Sequence, residues 1–135
     1  MLNKRYIGIV FYILLLILVE VIKRYACYID EDTEIFKRPE GAKDCGFLNE
    51  GGDCESEPGF PSGHLASITF LIISIFIFSE NRTIKKFILY NIPIIIMWFC
   101  RYHKKCHTHF QLLVGYGLGI LFVVLYSNIA YRVGK

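Results

Sequence analysis

The sequence lacks the features of several large classes of protein. Its net charge is only +3 over 135 residues, so a nucleic-acid partner is not indicated. It has no internal repeat and no low-complexity linker, and we expect a single domain over residues 1–135. It has no pair of cysteines separated by two other residues, the C-x2-C spacing that is typical of zinc sites. Its five cysteines are an odd number, so at least one stays unpaired within the chain.

What the sequence does contain is apolar residues, which make up 54% of the chain and are gathered into long runs. Four runs lie at about 6–22, 65–79, 84–99 and 110–126. Each approaches the roughly 17–25 residues that cross a bilayer as a helix. We therefore predict an all-α membrane bundle of four transmembrane helices. The first run ends in Lys23 and Arg24 without a clear cleavage site, which favours a retained helix over a signal peptide.

The positions of basic residues predict the orientation of this bundle. They lie before the first run, between the second and third, and after the fourth: Lys4, Arg5, Arg82, Lys85, Lys86, Arg132 and Lys135. With four spans these segments share one side, which should be cytoplasmic together with both termini. The other side faces a lumen or the exterior, and in a eukaryotic cell we expect the endoplasmic reticulum.

The non-cytoplasmic side should hold an acidic loop at about 27–60 and a short turn after residue 99. The loop carries ten of the acidic residues of the chain. Cys45 and Cys54 bracket a short stretch of it. In an oxidising compartment they could form a disulfide, and the other interpretation is two free thiols.

Two polar motifs stand at apolar-run ends on this side. In "PSGH", Ser62 could cap a helix, Gly63 would let a ligand approach the backbone, and His64 follows. The first N–H groups of a helix favour a phosphate or a carboxylate. The plain alternative is a serine cap with an incidental glycine and histidine.

The second motif is "CRYHKKCHTHFQ", residues 100–111. Arg101 can bind phosphate oxygens in a forked geometry. If the fourth helix starts near His107, then His107 and Gln111 share a face, and Gln111 could accept from one ring nitrogen. The plain alternative is a cationic collar for lipid headgroups. In "FKRPE", Arg38 precedes Pro39 and adds a further cation.

Together these residues predict a site for a phosphorylated group at the membrane surface. Cations would stabilise a charged transition state, while one histidine attacks phosphorus and another protonates the leaving oxygen. No carboxylate pair for a metal is required, and we expect no cofactor.

The motifs in this order resemble those of the type 2 phosphatidic acid phosphatases, whose pattern is K-x6-RP, then PSGH, then SR-x5-H-x3-D. The resemblance covers about residues 23–119. It implies that His107 is the nucleophile, that His64 is the general acid, and that Gln111 orients His107. It further implies that the phosphate is bound by these residues: Lys23, Arg38, Ser62, Gly63 and Arg101.

The chain departs from that pattern in three places. The family's lysine position holds Glu31, for which Lys23 is the best substitute and Lys37 a weaker one. Its serine is Cys100, and its aspartate is Gln111. The reading "HTHFQ" is similar to the dolichyl-diphosphatase branch, which implies a polyprenyl diphosphate as substrate. The family commonly has six spans, so four would be a minimal core, and a homodimer could cover its missing faces.

The expected partners are a phosphorylated lipid substrate and membrane lipids. Two other functions stay open. One is a metal site in the cluster formed by Cys100, His103, Cys106, His107 and His109. The other is an inactive relative that only binds lipid phosphate or has a structural role, which the aspartate and lysine departures would explain.

Overall fold

The computed structural model describes residues 2–29, 33, 35–45 and 57–134 of the chain. Within these residues it contains four helices and no strand, which confirms the predicted all-α class. The helices are α1 (Leu2–Ile29), α2 (Gly63–Phe78), α3 (Ile84–His103) and α4 (His109–Val133). The acidic loop connects α1 to α2, and much of it lies outside the described residues.

The last three helices each begin at a hydroxyl side chain. Ser62, Thr83 and Thr108 are their N-cap residues, and each hydroxyl accepts from the backbone N–H three positions ahead. The first helix continues past the apolar run at 6–22 to Ile29, and an exposed ion pair lies along this part of it. Arg24 donates to Glu20, one turn earlier, at 3.0 Å.

The second helix lies at the centre of the bundle. It packs against each of the other three helices, and α1 also packs against α4. The ring of Phe70 on α2 lies 5.9 Å from Tyr12 of α1 and 5.9 Å from Tyr126 of α4. These aromatic contacts join three helices in one buried core, to which Ile94 of α3 also belongs.

Two glycines let α4 approach α2 closely. A Cβ at Gly119 would lie 2.7 Å from both the carbonyl oxygen of Ala66 and the Cβ of Thr69. A Cβ at Gly115 would overlap the carbonyl oxygen of Ser62. Small residues four apart allow two apolar helices to pack with their backbones nearly in contact. The crossing places the start of α4 beside the start of α2, so both polar motifs lie at one end of the bundle.

Among the described residues, two helical segments are long and apolar enough to cross a membrane, Lys4–Ala26 and His109–Val133. The helix α2 is apolar but shorter. Only a small part of either segment is buried, and apolar side chains such as Ile9, Ile13 and Ile17 are exposed on α1. This exposure differs from that of a helix buried in the core of a soluble protein. Two of the four predicted spans therefore meet the criterion, and they suggest membrane association.

Residues 35–45 and 57–62 lie across the end of the bundle where α2 and α4 begin. The N–H of Gly59 donates to the carbonyl of Phe36 at 2.8 Å. The ring of Phe60 lies between those of Phe36 and Phe110, at centroid distances of 5.4 and 5.9 Å. These contacts hold the segment that carries Arg38 against the start of α4.

Candidate active site

His107 lies in the turn between α3 and α4, one residue before the N-cap of α4, and its side chain is buried. Its Nδ1 is 2.8 Å from the carbonyl oxygen of Gly59. A carbonyl oxygen only accepts hydrogen bonds, so a neutral ring carries its proton on Nδ1 and keeps a lone pair on Nε2. An imidazole in this tautomer can act as a nucleophile through Nε2.

The charge state of His107 follows from its surroundings. Burial lowers the pKa of His107 to about 3, and the positive charges of Arg38 and Arg101 act in the same direction. The hydrogen bond to Gly59 opposes this effect without overcoming it. The ring is therefore neutral at pH 7, which is the form that can attack phosphorus.

His64 is the second residue of α2 and precedes the apolar run at 65–79. Burial lowers the pKa of His64 to about 4, with further contributions from the charges of Arg101, Lys23 and Arg38. The same three cations lower the pKa of His107. The hydrogen bonds of Arg38 to Cys106 and of His107 to Gly59, with Lys23 beside Gly63, bring α1, the acidic loop, the start of α2 and the α3–α4 turn to one place.

Lys23 reaches this place from the last turns of α1. A Cβ built on Gly63 would lie 3.9 Å from the Nζ of Lys23 and 3.2 Å from Val19. The missing side chain therefore keeps the first turn of α2 open beside the ammonium group. Ser62 is fully buried, and its Oγ accepts from the N–H of Leu65 at 3.4 Å. The cap and the glycine leave a helix N-terminus next to a cation, which suits an anion.

Both site arginines are buried and are held by backbone carbonyls. Arg38 Nη1 donates to the carbonyl of Cys106 at 3.1 Å, and Arg101 Nη2 donates to the carbonyl of Cys45 at 2.6 Å. Arg38 also pairs with the exposed carboxylate of Glu57 at 3.5 Å. A carbonyl orients a guanidinium without neutralising it, so the site stays electropositive. A phosphate would supply the complementary charge.

Gln111 is fully buried and holds the loop. Its Nε2 donates to the carbonyls of Ile35 at 2.9 Å and Lys37 at 2.7 Å. Its Oε1 accepts from the N–H of Thr108, and its own N–H donates to the Thr108 hydroxyl, which completes a capping box. Gln111 therefore positions the segment that leads into Arg38.

The prediction of a hydrogen bond between Gln111 and His107 is wrong, because the Nδ1 of His107 is hydrogen-bonded to the carbonyl of Gly59. The reason is the start of α4. The helix begins at His109, so His107 precedes it and does not share a helical face with Gln111. Gln111 acts on the histidine only indirectly. A Cβ at Gly59 would lie 2.7 Å from the Oε1 of Gln111, so the two residues are in close contact.

A disulfide links Cys45 to Cys106 across 61 positions of sequence. The suggested Cys45–Cys54 pairing is therefore wrong for Cys45, while Cys54 lies outside the described residues. Closeness in sequence favoured Cys54 as the partner of Cys45. In the fold, however, the turn that carries Cys106 lies against the acidic loop, which brings Cys106 to Cys45. Within the described part of the chain, Cys100 is a free and exposed thiol.

Sequence reasoning did not identify Gly59 or Gly115 as parts of the site. A backbone carbonyl leaves no trace in residue type, so the role of Gly59 could not be inferred from its identity. For Gly115 a signal exists, since it begins a G-x-x-x-G pattern within an apolar helix. This pattern predicts a close helix crossing, and the structure places that crossing directly beneath Ser62.

The cysteine and histidine cluster considered for a metal is dispersed in the fold. Cys106 is in the disulfide, and His107 faces Gly59. His109 stacks on Tyr102 at 3.9 Å between ring centroids. In the part of the chain that the structure describes, no three His, Cys, Asp or Glu side chains come together as a metal site.

The site residues fall within a single family match. The model of the PAP2 superfamily matches residues 5–135, nearly the whole chain. No curated protein and no solved structure matched the chain. The matched range includes every cation and histidine of the site, from Lys23 to His107. The chain therefore belongs to the PAP2 superfamily, and this membership suggests phosphatase activity.

Proposed function

We propose that this protein is a membrane phosphatase that cleaves a lipid phosphate or a polyprenyl diphosphate of the dolichyl type. The reaction proceeds through a phosphohistidine and uses no metal. The observation that carries the proposal is that the charges of Lys23, Arg38 and Arg101 act on both His64 and His107, and that the carbonyl of Gly59 sets the tautomer of His107. That combination suits attack by a neutral imidazole on an anionic phosphorus centre.

The proposed arrangement is one membrane domain with four spans and both termini in the cytoplasm. The candidate site lies at the end of the bundle where α1 ends and α2 and α4 begin, opposite the basic termini. It therefore faces the lumen or the exterior, and in a eukaryotic cell the endoplasmic reticulum fits. The long apolar segments Lys4–Ala26 and His109–Val133 support this arrangement.

In the first step, the Nε2 of His107 attacks phosphorus and the bond from phosphorus to the leaving oxygen breaks. His64 gives its proton to that oxygen, so the alcohol or phosphate leaves in neutralised form. Lys23, Arg38 and Arg101 hold the phosphoryl oxygens, with the first N–H groups of α2 beside them. The products are a phosphohistidine and a neutral His64.

In the second step, His64 takes a proton from a water molecule as its oxygen attacks the phosphohistidine. The bond from nitrogen to phosphorus breaks, inorganic phosphate is released, His107 is regenerated, and His64 again carries a proton. In the empty site the pKa of His64 is only about 4, so this ring starts neutral at pH 7. A bound phosphate opposes the charges of the three cations and thereby raises the pKa of His64 toward the range of a general acid.

A lipid substrate is supported by an apolar groove of about 380 Å³ between α3 and α4, lined by residues that include Ile94, Trp98, Leu113 and Tyr116. This groove includes Trp98, which is about one helical turn before Arg101 on α3. It suits an isoprenoid or acyl chain whose phosphate lies at the cations. The sequence HTHFQ, which is similar to that of the dolichyl-diphosphatase branch, favours an isoprenoid over an acyl chain. Membrane lipids, and in a homodimer a second copy, would cover the exposed apolar faces.

The second candidate is an inactive relative that binds lipid phosphate. It is favoured by Gln111, which stands where the family has aspartate and which donates to carbonyls. Against it stands the Gly59 carbonyl, which already sets the tautomer that a carboxylate would set. Both candidate functions include binding of lipid phosphate, but only the phosphatase would release inorganic phosphate from it.

The test is phosphate release from a long-chain polyprenyl diphosphate and from a lipid monophosphate, with purified protein in detergent and EDTA. The variant is His107→Ala, and the matched control is His103→Ala, an exposed histidine at the end of α3. We expect metal-free release by the wild type and the control, and loss of release in His107→Ala. Trapping of acid-labile, base-stable phosphate on His107 would establish the intermediate.

Folded wild-type protein that binds these lipids and releases no phosphate would establish the inactive alternative. Normal turnover in His107→Ala would overturn the mechanism. Release that depends on added metal and stops in EDTA would overturn its metal independence.

A further inference from the structure

We propose that the Cys45–Cys106 disulfide is a positioning element of the phosphate site, which sets Arg38 and Arg101 for binding the substrate. The inference rests on the proposed function. It assigns a part in recognising phosphate to two cysteines that occupy none of the defined positions of the three motifs.

The hydrogen bonds around the disulfide are crossed. Arg101 belongs to the same stretch of chain as Cys106, yet it donates to the carbonyl of Cys45 at 2.6 Å. Arg38 belongs to the same stretch as Cys45, yet it donates to the carbonyl of Cys106 at 3.1 Å. The carbonyls of the two bridged cysteines therefore hold the two arginines of the site. The position of each arginine therefore depends in part on the backbone of the opposite cysteine.

The disulfide also closes one end of the loop segment. Gln111 holds its beginning at Ile35 and Lys37, and the disulfide holds its end at Cys45. Arg38 lies between these two anchors. Around the bond, Ala42, Cys45 and Cys106 form a buried cluster separate from the core between the helices. Loss of the bond would therefore release the end of the segment from the α3–α4 turn.

The nucleophile is close to the same link. Cys106 immediately precedes His107, and the N–H of Cys106 donates to the carbonyl of Arg101 at 3.0 Å. One covalent bond thus joins the segment of Arg38, the turn of Arg101 and the backbone next to His107. The proposed topology places this bond on the non-cytoplasmic side, where disulfides form and persist.

Dithiothreitol cleaves the bond by two thiol–disulfide exchanges, which leave two cysteine thiols and the cyclic disulfide of the reagent. Because arginine positions and the disulfide are coupled, phosphate on the arginines should protect the bond from reduction, since such coupling is reciprocal.

The experiment has three arms on full-length protein in detergent. The first is a non-reducing peptide map, in which we expect a Cys45–Cys106 cross-link. The second is the rate of thiol labelling under dithiothreitol with and without saturating inorganic phosphate. We expect labelling of Cys45 and Cys106 to slow several-fold with phosphate, while the exposed Cys100 is labelled at an unchanged rate.

The third arm compares Cys45→Ala/Cys106→Ala with the control Cys27→Ala/Cys54→Ala. We expect the first to lower kcat/KM on the order of 100-fold, because small displacements of positioning groups have effects of that size. KM and the inhibition constant of inorganic phosphate should rise, and the control should match the wild type. The protection measurement decides the question if the first variant does not fold.

A Cys45–Cys54 cross-link, unprotected reduction, or a folded double variant with normal phosphate affinity would each overturn the proposal. Wild-type protein that releases no phosphate from any lipid would instead overturn the proposed function. The peptide map and the protection by phosphate remain readable in that case.

Discussion

The substitution Gln111→Glu tests how the loop is attached to the bundle. The side chain keeps its size, but the amide NH2 that donates to two carbonyls becomes an oxygen at 2.9 and 2.7 Å from those carbonyl oxygens. Two buried hydrogen bonds are lost, each with a net value of about 0.5–1.5 kcal/mol, and a carboxylate is buried among acceptors. We therefore expect a loss of about 2–5 kcal/mol in the free energy of unfolding at pH 8.

The measurement is thermal unfolding in detergent between pH 5 and pH 8, where the loss corresponds to a fall in Tm on the order of 10 °C. Burial raises the pKa of a carboxyl group in the folded state above its unfolded value. The penalty is therefore present above the folded-state pKa and shrinks as the pH falls through it, since a protonated carboxyl donates one bond. Gln111→Met removes the donors without adding a charge, so its deficit should not depend on pH in this way. The hydrogen bonds assigned to Gln111 would be refuted if the Gln111→Glu variant were as stable as the wild type at pH 8. They would also be refuted if its loss of stability were the same at pH 5 and pH 8.

Three further predictions concern the helix crossing, the nucleophile and the cations. Gly119→Ala should cost about 1–3 kcal/mol, because its Cβ would meet Ala66 and Thr69 at 2.7 Å. Gly117→Ala should not destabilise the protein, since none of the described residues lies within 4 Å of its Cβ. Equal losses of Tm in the two variants would contradict the close crossing. Burial lowers the pKa of His107 to about 3 in the folded protein. Between this value and the ordinary pKa of histidine, the unfolded chain therefore binds more protons than the folded one. The free energy of unfolding should therefore fall as the pH drops from 7 to 5, and it should fall less steeply in His107→Gln than in the wild type. Parallel pH profiles of stability for the two proteins would argue against a buried neutral ring. Arg101→Lys should lower kcat/KM about 100-fold, because an ammonium cannot hold a carbonyl and a phosphate in one planar fork, and the matched exposed change Arg24→Lys should have no effect. Activity of Arg101→Lys near that of the wild type would show that charge alone is needed.

The parts of the fold that depend on local pattern could be predicted from the sequence. The apolar runs predicted four helices, and Ser62 was recognised as a helix cap, because capping involves residues only three positions apart. The helix ends were predicted less well. Past residue 22, α1 continues through the Glu20–Arg24 pair, which hydropathy does not detect. The start of α4 at His109 depended on the capping box of Thr108 and Gln111.

The candidate site was predicted as a set of residue types, and its connections were not. The motifs identified Lys23, His64 and His107, and the fold brings Lys23 within electrostatic reach of both histidines. The substitution of Gln111 for the family's aspartate was interpreted as a change at the nucleophile. In the structure it is a change in what holds the loop, since the amide donates to Ile35 and Lys37.

The sequence by itself determined the helical class, the end of the bundle where the polar motifs lie and the chemical types available there. These properties follow from hydropathy, capping and charge, which act over a few residues. Only the tertiary structure decided that Gly59 sets the tautomer of His107 and that Cys45 bonds Cys106. Both contacts join residues 48 or more positions apart. A backbone carbonyl has no sequence signature, and cysteine pairing depends on which segments the helix crossing at Gly115 and Gly119 brings together.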